Sequence, residues 1–85
     1  MTEAEIEAVA ITTGLLLDQL QDRGGEGDAL IRNALAAIGD LLAERGGIAL
    51  MSQVLERVLD QKPEAEGFRE GVLDAAFSGF AGWGS

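Results

Sequence analysis

Residues 41–51 read LLAERGGIALM, and the conduct of the chain at this glycine pair decides the architecture. Apolar residues recur at helical spacing on both sides of it, with no strand-like alternation. Upstream lies an arc of Leu30, Ile31, Ala34, Leu35, Ile38, Leu41 and Leu42. Downstream lie Ile48, Met51, Val54, Leu55, Val58 and Leu59. Gly46 fits the residue just past a helix end, where a left-handed backbone is common. The next helix then starts almost at once, so the two form a corner or an antiparallel hairpin.

Two more punctuation marks, RGGEG at 23–27 and QKP at 61–63, divide the rest. The expectation is a single all-α domain of four helices near 3–22, 29–45, 48–61 and 63–80, with a glycine and aromatic tail over 79–85. Thr2 and Glu5 have capping-box spacing at the first helix. Ile6, Val9, Ala10, Thr13, Leu16, Leu17 and Leu20 share its main face, and Gly24 and Gly25 stop it. Asp28 suits an N-cap of the second helix, and Pro63 the first position of the fourth.

The chain has 85 residues, no cysteine and no histidine. A core of this size is marginal, and disulfide or thiolate-metal staples are absent, which leaves tight helix packing or oligomerisation. Apolar residues make up 47% of the chain, and mean hydropathy is +0.14 despite a net charge of −9. A small monomer has little interior for so much apolar surface, so self-association or burial against a partner is expected. The lack of cysteine fits a reducing, cytoplasmic setting. The opening MTEAEIEAVA has acids where a signal peptide has bases, and the uncharged run Ala8–Leu17 is too short to span a bilayer.

Nucleic acid is disfavoured, because six scattered basic residues make no phosphate-tracking stripe. Acidic membrane surfaces are disfavoured for the same reason. With no His, Cys or Tyr, the usual acid–base and nucleophilic groups are missing, and Ser52, Ser78 and Ser85 lack a histidine partner. No enzyme, cofactor or small-molecule substrate is expected. Glu3 with Glu7 and Glu66 with Glu70 have four-residue spacing that could share a hard cation, but an acidic first turn shows the same pattern. The DRGGEGD stretch at 22–28 lacks both a calcium-loop and a phosphate-loop signature.

Two features exceed background. On the first helix Ala4, Ala8, Ile11 and Leu15 form a second stripe, roughly opposite the main face. Such a stripe is either covered by the fourth helix of the same chain or forms an interface. On the fourth helix Gly67, Gly71, Ala75, Ser78 and Gly82 form a small-residue stripe suited to close packing of another backbone. Beside it lie Val72, Leu73, Ala76, Phe77, Phe80 and Trp83. Phe68, Phe77 and Phe80 are expected to fill the core, and the Phe80–Trp83 tail either folds back or anchors in a neighbour.

The leading expectation is therefore an interaction module that forms a homo-oligomer, a dimer first, or docks on another protein. The alternative is an acidic inhibitor, chaperone or antitoxin covering a basic site. Lower alternatives are a helix-turn-helix regulator using Arg57 and Lys62, and a divalent-metal binder.

Overall fold

A computed structural model describes residues 1–23, 28–80 and 82–83. It contains three α-helices: α1 (Glu3–Arg23), α2 (Asp28–Gln61) and α3 (Glu66–Phe77), with a 3-10 turn at Pro63–Ala65 before α3. No strand occurs among the described residues. The capping box is formed at α1: Glu5 N–H donates to Thr2 Oγ1 at 3.2 Å, and Thr2 N–H donates to Glu5 Oε1 at 2.9 Å. The expected stop at Gly24 and Gly25 lies outside the described residues.

The expected count of four helices is corrected to three. The second and third expected helices abut without a linker and form the two arms of α2. A straight helix of 34 residues would be about 51 Å long. The longest extent of the whole fold is 32 Å, so α2 must turn sharply. It does so at Gly47, whose φ of 66° and ψ of −157° belong to a region essentially reserved for glycine. The left-handed residue is thus Gly47, not Gly46. Gly46 is bare for another reason: a Cβ there would sit 2.7 Å from Leu50 Cβ.

The core lies between α1, the two arms of α2, and α3. Ile6, Ala10, Leu17 and Leu20 of α1 meet Leu35, Leu42, Met51 and Val54 of α2. From α3, Leu73 and Phe77 complete it. Phe77 is fully buried, whereas Phe68 and Phe80 are half-buried at the margin, so one ring and not three fills the centre. Leu30 and Leu41, expected in the core arc, lie at its edges and are exposed at 75% and 39%. The fourth expected helix is shorter at both ends than 63–80. It begins with the 3-10 turn and gives way after Phe77 to tight turns.

Candidate functional site

The outward surface of α1 is set by what grips its sides. From α2, Arg57 reaches across to α1 and donates to Glu7 Oε2 at 2.8 Å and to Glu3 Oε2. The carboxylate pair that could have shared a cation thus shares a guanidinium of the same chain. Farther along, Asp18 Oδ1 accepts from Arg69 Nη2 at 3.0 Å and from Lys62 Nζ at 3.3 Å. Two clamps, fifty residues or so apart in sequence from their targets, fix the rotation of α1 about its axis.

Arg69 is the residue that the sequence reading missed. It is 3% exposed. Its Nη1 donates to the Val58 carbonyl at 2.8 Å and to Gln61 Oε1 at 3.1 Å, and its Nη2 also approaches the Gly14 carbonyl at 3.4 Å. Val58 is among the last four residues of α2, whose carbonyls have no partner within the helix. A cation from α3 therefore serves the negative end of α2 while also gripping α1. The signal in the sequence is position: Arg69 lies four residues from both Ala65 and Leu73, on the buried face of α3. Gly14 leaves room for it, since a Cβ there would sit 2.3 Å from Gln61 Oε1 and 3.3 Å from Arg69 Nη1.

The hydrogen bond from Arg69 holds the Asp18 carboxyl below the ordinary carboxylate range, with Lys62 adding to the effect. A lowered pKa in the folded state stabilises the fold fully above the unfolded Asp value of about 3.9. That contribution is lost as pH falls through the lower, folded value. Stability is thus expected to fall below about pH 4, and Asp18→Asn is expected to flatten that acid limb. Urea midpoints measured from neutral to acidic pH check this, and an unchanged acid limb in the variant would refute it.

With its sides clamped, α1 turns Ala4, Ala8, Ile11 and Leu15 to solvent. Ile11 is 50% exposed and Leu15 58% exposed. The second stripe is therefore not covered by the chain's own last helix. Beside it, between α1 and the first arm of α2, runs an open groove of about 270 Å³ lined by Ala8, Val9, Thr12, Ile38 and Leu41. Its one hydroxyl, on Thr12, is already bonded to the Ala8 carbonyl at 3.0 Å. The groove therefore offers apolar contact and little else.

The other candidate residues are placed differently. Trp83 folds back on its own chain: its ring meets Phe77 edge-on at 5.1 Å, and Nε1 donates to Asp74 Oδ1 at 2.8 Å. Phe80 also sits edge-on to Phe77, at 6.4 Å. Of the two expected alternatives for the Phe80–Trp83 tail, the chain by itself adopts the fold-back. Gly67, Gly71, Ala75, Ser78 and Gly82 are all exposed. A Cβ at Gly67 or Gly71 meets nothing within 4 Å, so among the described residues of this chain no backbone packs closely at these two glycines.

Arg57 and Lys62, the bases a helix-turn-helix reading would use, are both ion-paired to α1. Among the described residues no group of three or more acids is placed to hold a metal ion, and no helix is long and apolar enough to cross a membrane. Compared with protein-family models, curated proteins and solved structures, the chain matches none.

Proposed function

We propose that this chain is a non-enzymatic assembly module of the cytoplasm that pairs with a second copy of itself through the outer face of α1. The observation that carries this reading is the exposure of Ile11 and Leu15 beside an unfilled apolar groove. Large aliphatic side chains half in water beside a dry-walled groove gain by being covered. Charge opposes the pairing less at this face than the net −9 of each copy implies. The nearby acids Glu3, Glu7 and Asp18 are each engaged by a base of their own chain. A basic partner would gain little from them, and a second copy meets little repulsion.

Sedimentation across a concentration series, at low and high salt, tests the reading. A mass above the monomer's 8.9 kDa that persists at high salt is expected. Ile11→Glu and Leu15→Glu are expected to shift the association midpoint at least ~10-fold to higher concentration, since each variant buries a charge in the contact. A monomer at every concentration would sink the self-pairing reading.

A second reading rests on a different face. Glu66, Glu70 and Asp74 recur every four residues along exposed α3, where the single base, Arg69, is buried. That side would suit an acidic protein that covers a cationic partner, and binding there would weaken steeply with salt.

A further inference from the structure

We infer that Gly46 and Gly47 form a hinge on which two copies of the chain exchange halves. In the exchanged pair α2 runs straight, and the part of each copy before the hinge packs on the part after the hinge of the other. This goes beyond the pairing proposed above and does not use the outer face of α1. The turn at Gly47 divides the chain into two helical pairs: α1 with the first arm of α2, and the second arm with α3. Each pair has ties of its own, such as Ala8 and Val9 beside Ile38 in the first and Arg69 on Val58 and Gln61 in the second. Among the described residues, every side-chain hydrogen bond between distant parts of the sequence crosses the hinge. These are Arg57 to Glu3 and Glu7, Lys62 to Asp18, and Arg69 to Gly14 and Asp18. The packing of Phe77 on Gly39 crosses it too. The surfaces to be exchanged are therefore already complementary, and each of these contacts re-forms between chains.

The hinge has no slack, because no loop separates the two arms. In the bent form Gly47 holds φ 66° and ψ −157°, whereas a straight helix asks for about −63° and −42°. Rotation about two bonds of one residue thus parts the halves. A straight α2 would be about 51 Å long in a fold whose longest extent is 32 Å, so the halves of one chain then face different ways and a second copy closes each. A short hinge under strain favours such exchange over reclosure. Both glycines serve the bent form alone. Position 47 needs glycine for its backbone, since a Cβ there meets nothing within 4 Å. Position 46 needs it for space, since a Cβ there would sit 2.7 Å from Leu50 Cβ. In a straight helix residues four apart keep their Cβ atoms about 5–6 Å apart. Alanine at either position therefore penalises the bent monomer and suits the straight helix.

Gly47→Ala and Gly46→Ala test the hinge beside the unmodified chain. Sedimentation gives the mass, and a carbodiimide, which joins a carboxylate to a touching amine as an amide, gives the connectivity. Lys62 is the sole lysine, and its Nζ lies 3.3 Å from Asp18 Oδ1. The Asp18–Lys62 link closes within one chain in the bent monomer, and also in a pair held by the α1 faces. It joins two chains only when halves are exchanged. Both variants are expected to form dimers that become covalent dimers on a denaturing gel, with the Asp18–Lys62 link identified by peptide mass. Their dimerisation midpoints are expected at least ~100-fold below that of the unmodified chain, because each dimer relieves two strained hinges. The unmodified chain, refolded from urea at high concentration, is expected to give the same covalent dimer as a minor species. Its absence there confines exchange to the variants and overturns the inference for this chain. Folded monomeric variants with the link inside one chain overturn it outright. Dimers whose Asp18–Lys62 link stays inside one chain overturn it too, and leave pairing through α1 standing. Variants without helical circular dichroism at any concentration also overturn it, since the exchanged form accepts alanine at both positions.

Discussion

Arg69→Ala is expected to destabilise the domain by about 3 kcal/mol, a large share of the roughly 4–13 kcal/mol that holds a chain of this length folded. The guanidinium is nearly sealed from water and joins all three helices: Val58 and Gln61 of α2, Gly14 and Asp18 of α1, and its own α3. Its loss leaves the Val58 carbonyl at the end of α2 without this donor, at a cost of about 1–3 kcal/mol for a buried group. Asp18 suffers less, because it is partly exposed and keeps Lys62. Arg69→Met, which restores the apolar stem, is expected to recover part of the loss, and Arg69→Lys less than its charge suggests, since one ammonium cannot span these acceptors. Urea unfolding at neutral pH measures all three. An Arg69→Ala midpoint within error of the parent would show that the node contributes nothing.

Phe77→Ala is expected to cost about 3–5 kcal/mol. Phe77 is the largest fully buried side chain, and Phe80 and Trp83 both rest edge-on against it. Its ring lies on Gly39, where a Cβ would come within 2.9 Å of two ring carbons and 3.0 Å of Phe80. Gly39→Ala should therefore cost about 1–3 kcal/mol, despite a helix propensity gain of about 1 kcal/mol. Gly71→Ala, which opens on solvent, should instead gain about 0.5–1 kcal/mol. Removing the ring removes the clash, so the Gly39→Ala, Phe77→Ala pair should cost less than the sum of its parts. Denaturant midpoints read the energies, and Trp83 fluorescence follows the tail. Strict additivity would mean that the ring yields freely to a methyl group.

The periodicity of α1 was legible because 3.6-residue spacing assigns each residue a side. Ile6, Ala10, Thr13, Leu17 and Leu20 are buried, and Ile11 and Leu15 stand out in water. What periodicity lacked was the identity of the cover, and the structure excludes the chain's own last helix. The helix count failed because a turn at Gly47 consumes no linker, so the two arms follow each other with no loop between them. Arg69 was missed because a charge in an acidic chain was counted as solvated, although its place between Ala65 and Leu73 put it on the buried face. The tail was ambiguous because its partner Asp74 lies nine residues back, on an exposed side that apolar spacing does not mark.

The clamps on α1 have a consequence for how the chain comes into being. α2 and α3 meet through contacts between neighbours in sequence, whereas Arg57 and Arg69 reach back more than fifty residues to Glu3 and Gly14. Closing such long loops is slow relative to local pairing. On a ribosome, Arg69 is added about 46 residues after α1 is complete, roughly 2–9 s later at ordinary elongation rates. Until then α1 lacks the Arg69 clamp and its packing against α3, and it is apolar on two sides. On the proposed self-pairing, neighbouring nascent chains on one messenger would meet through this helix before either had folded, so pairing and folding would share their first step.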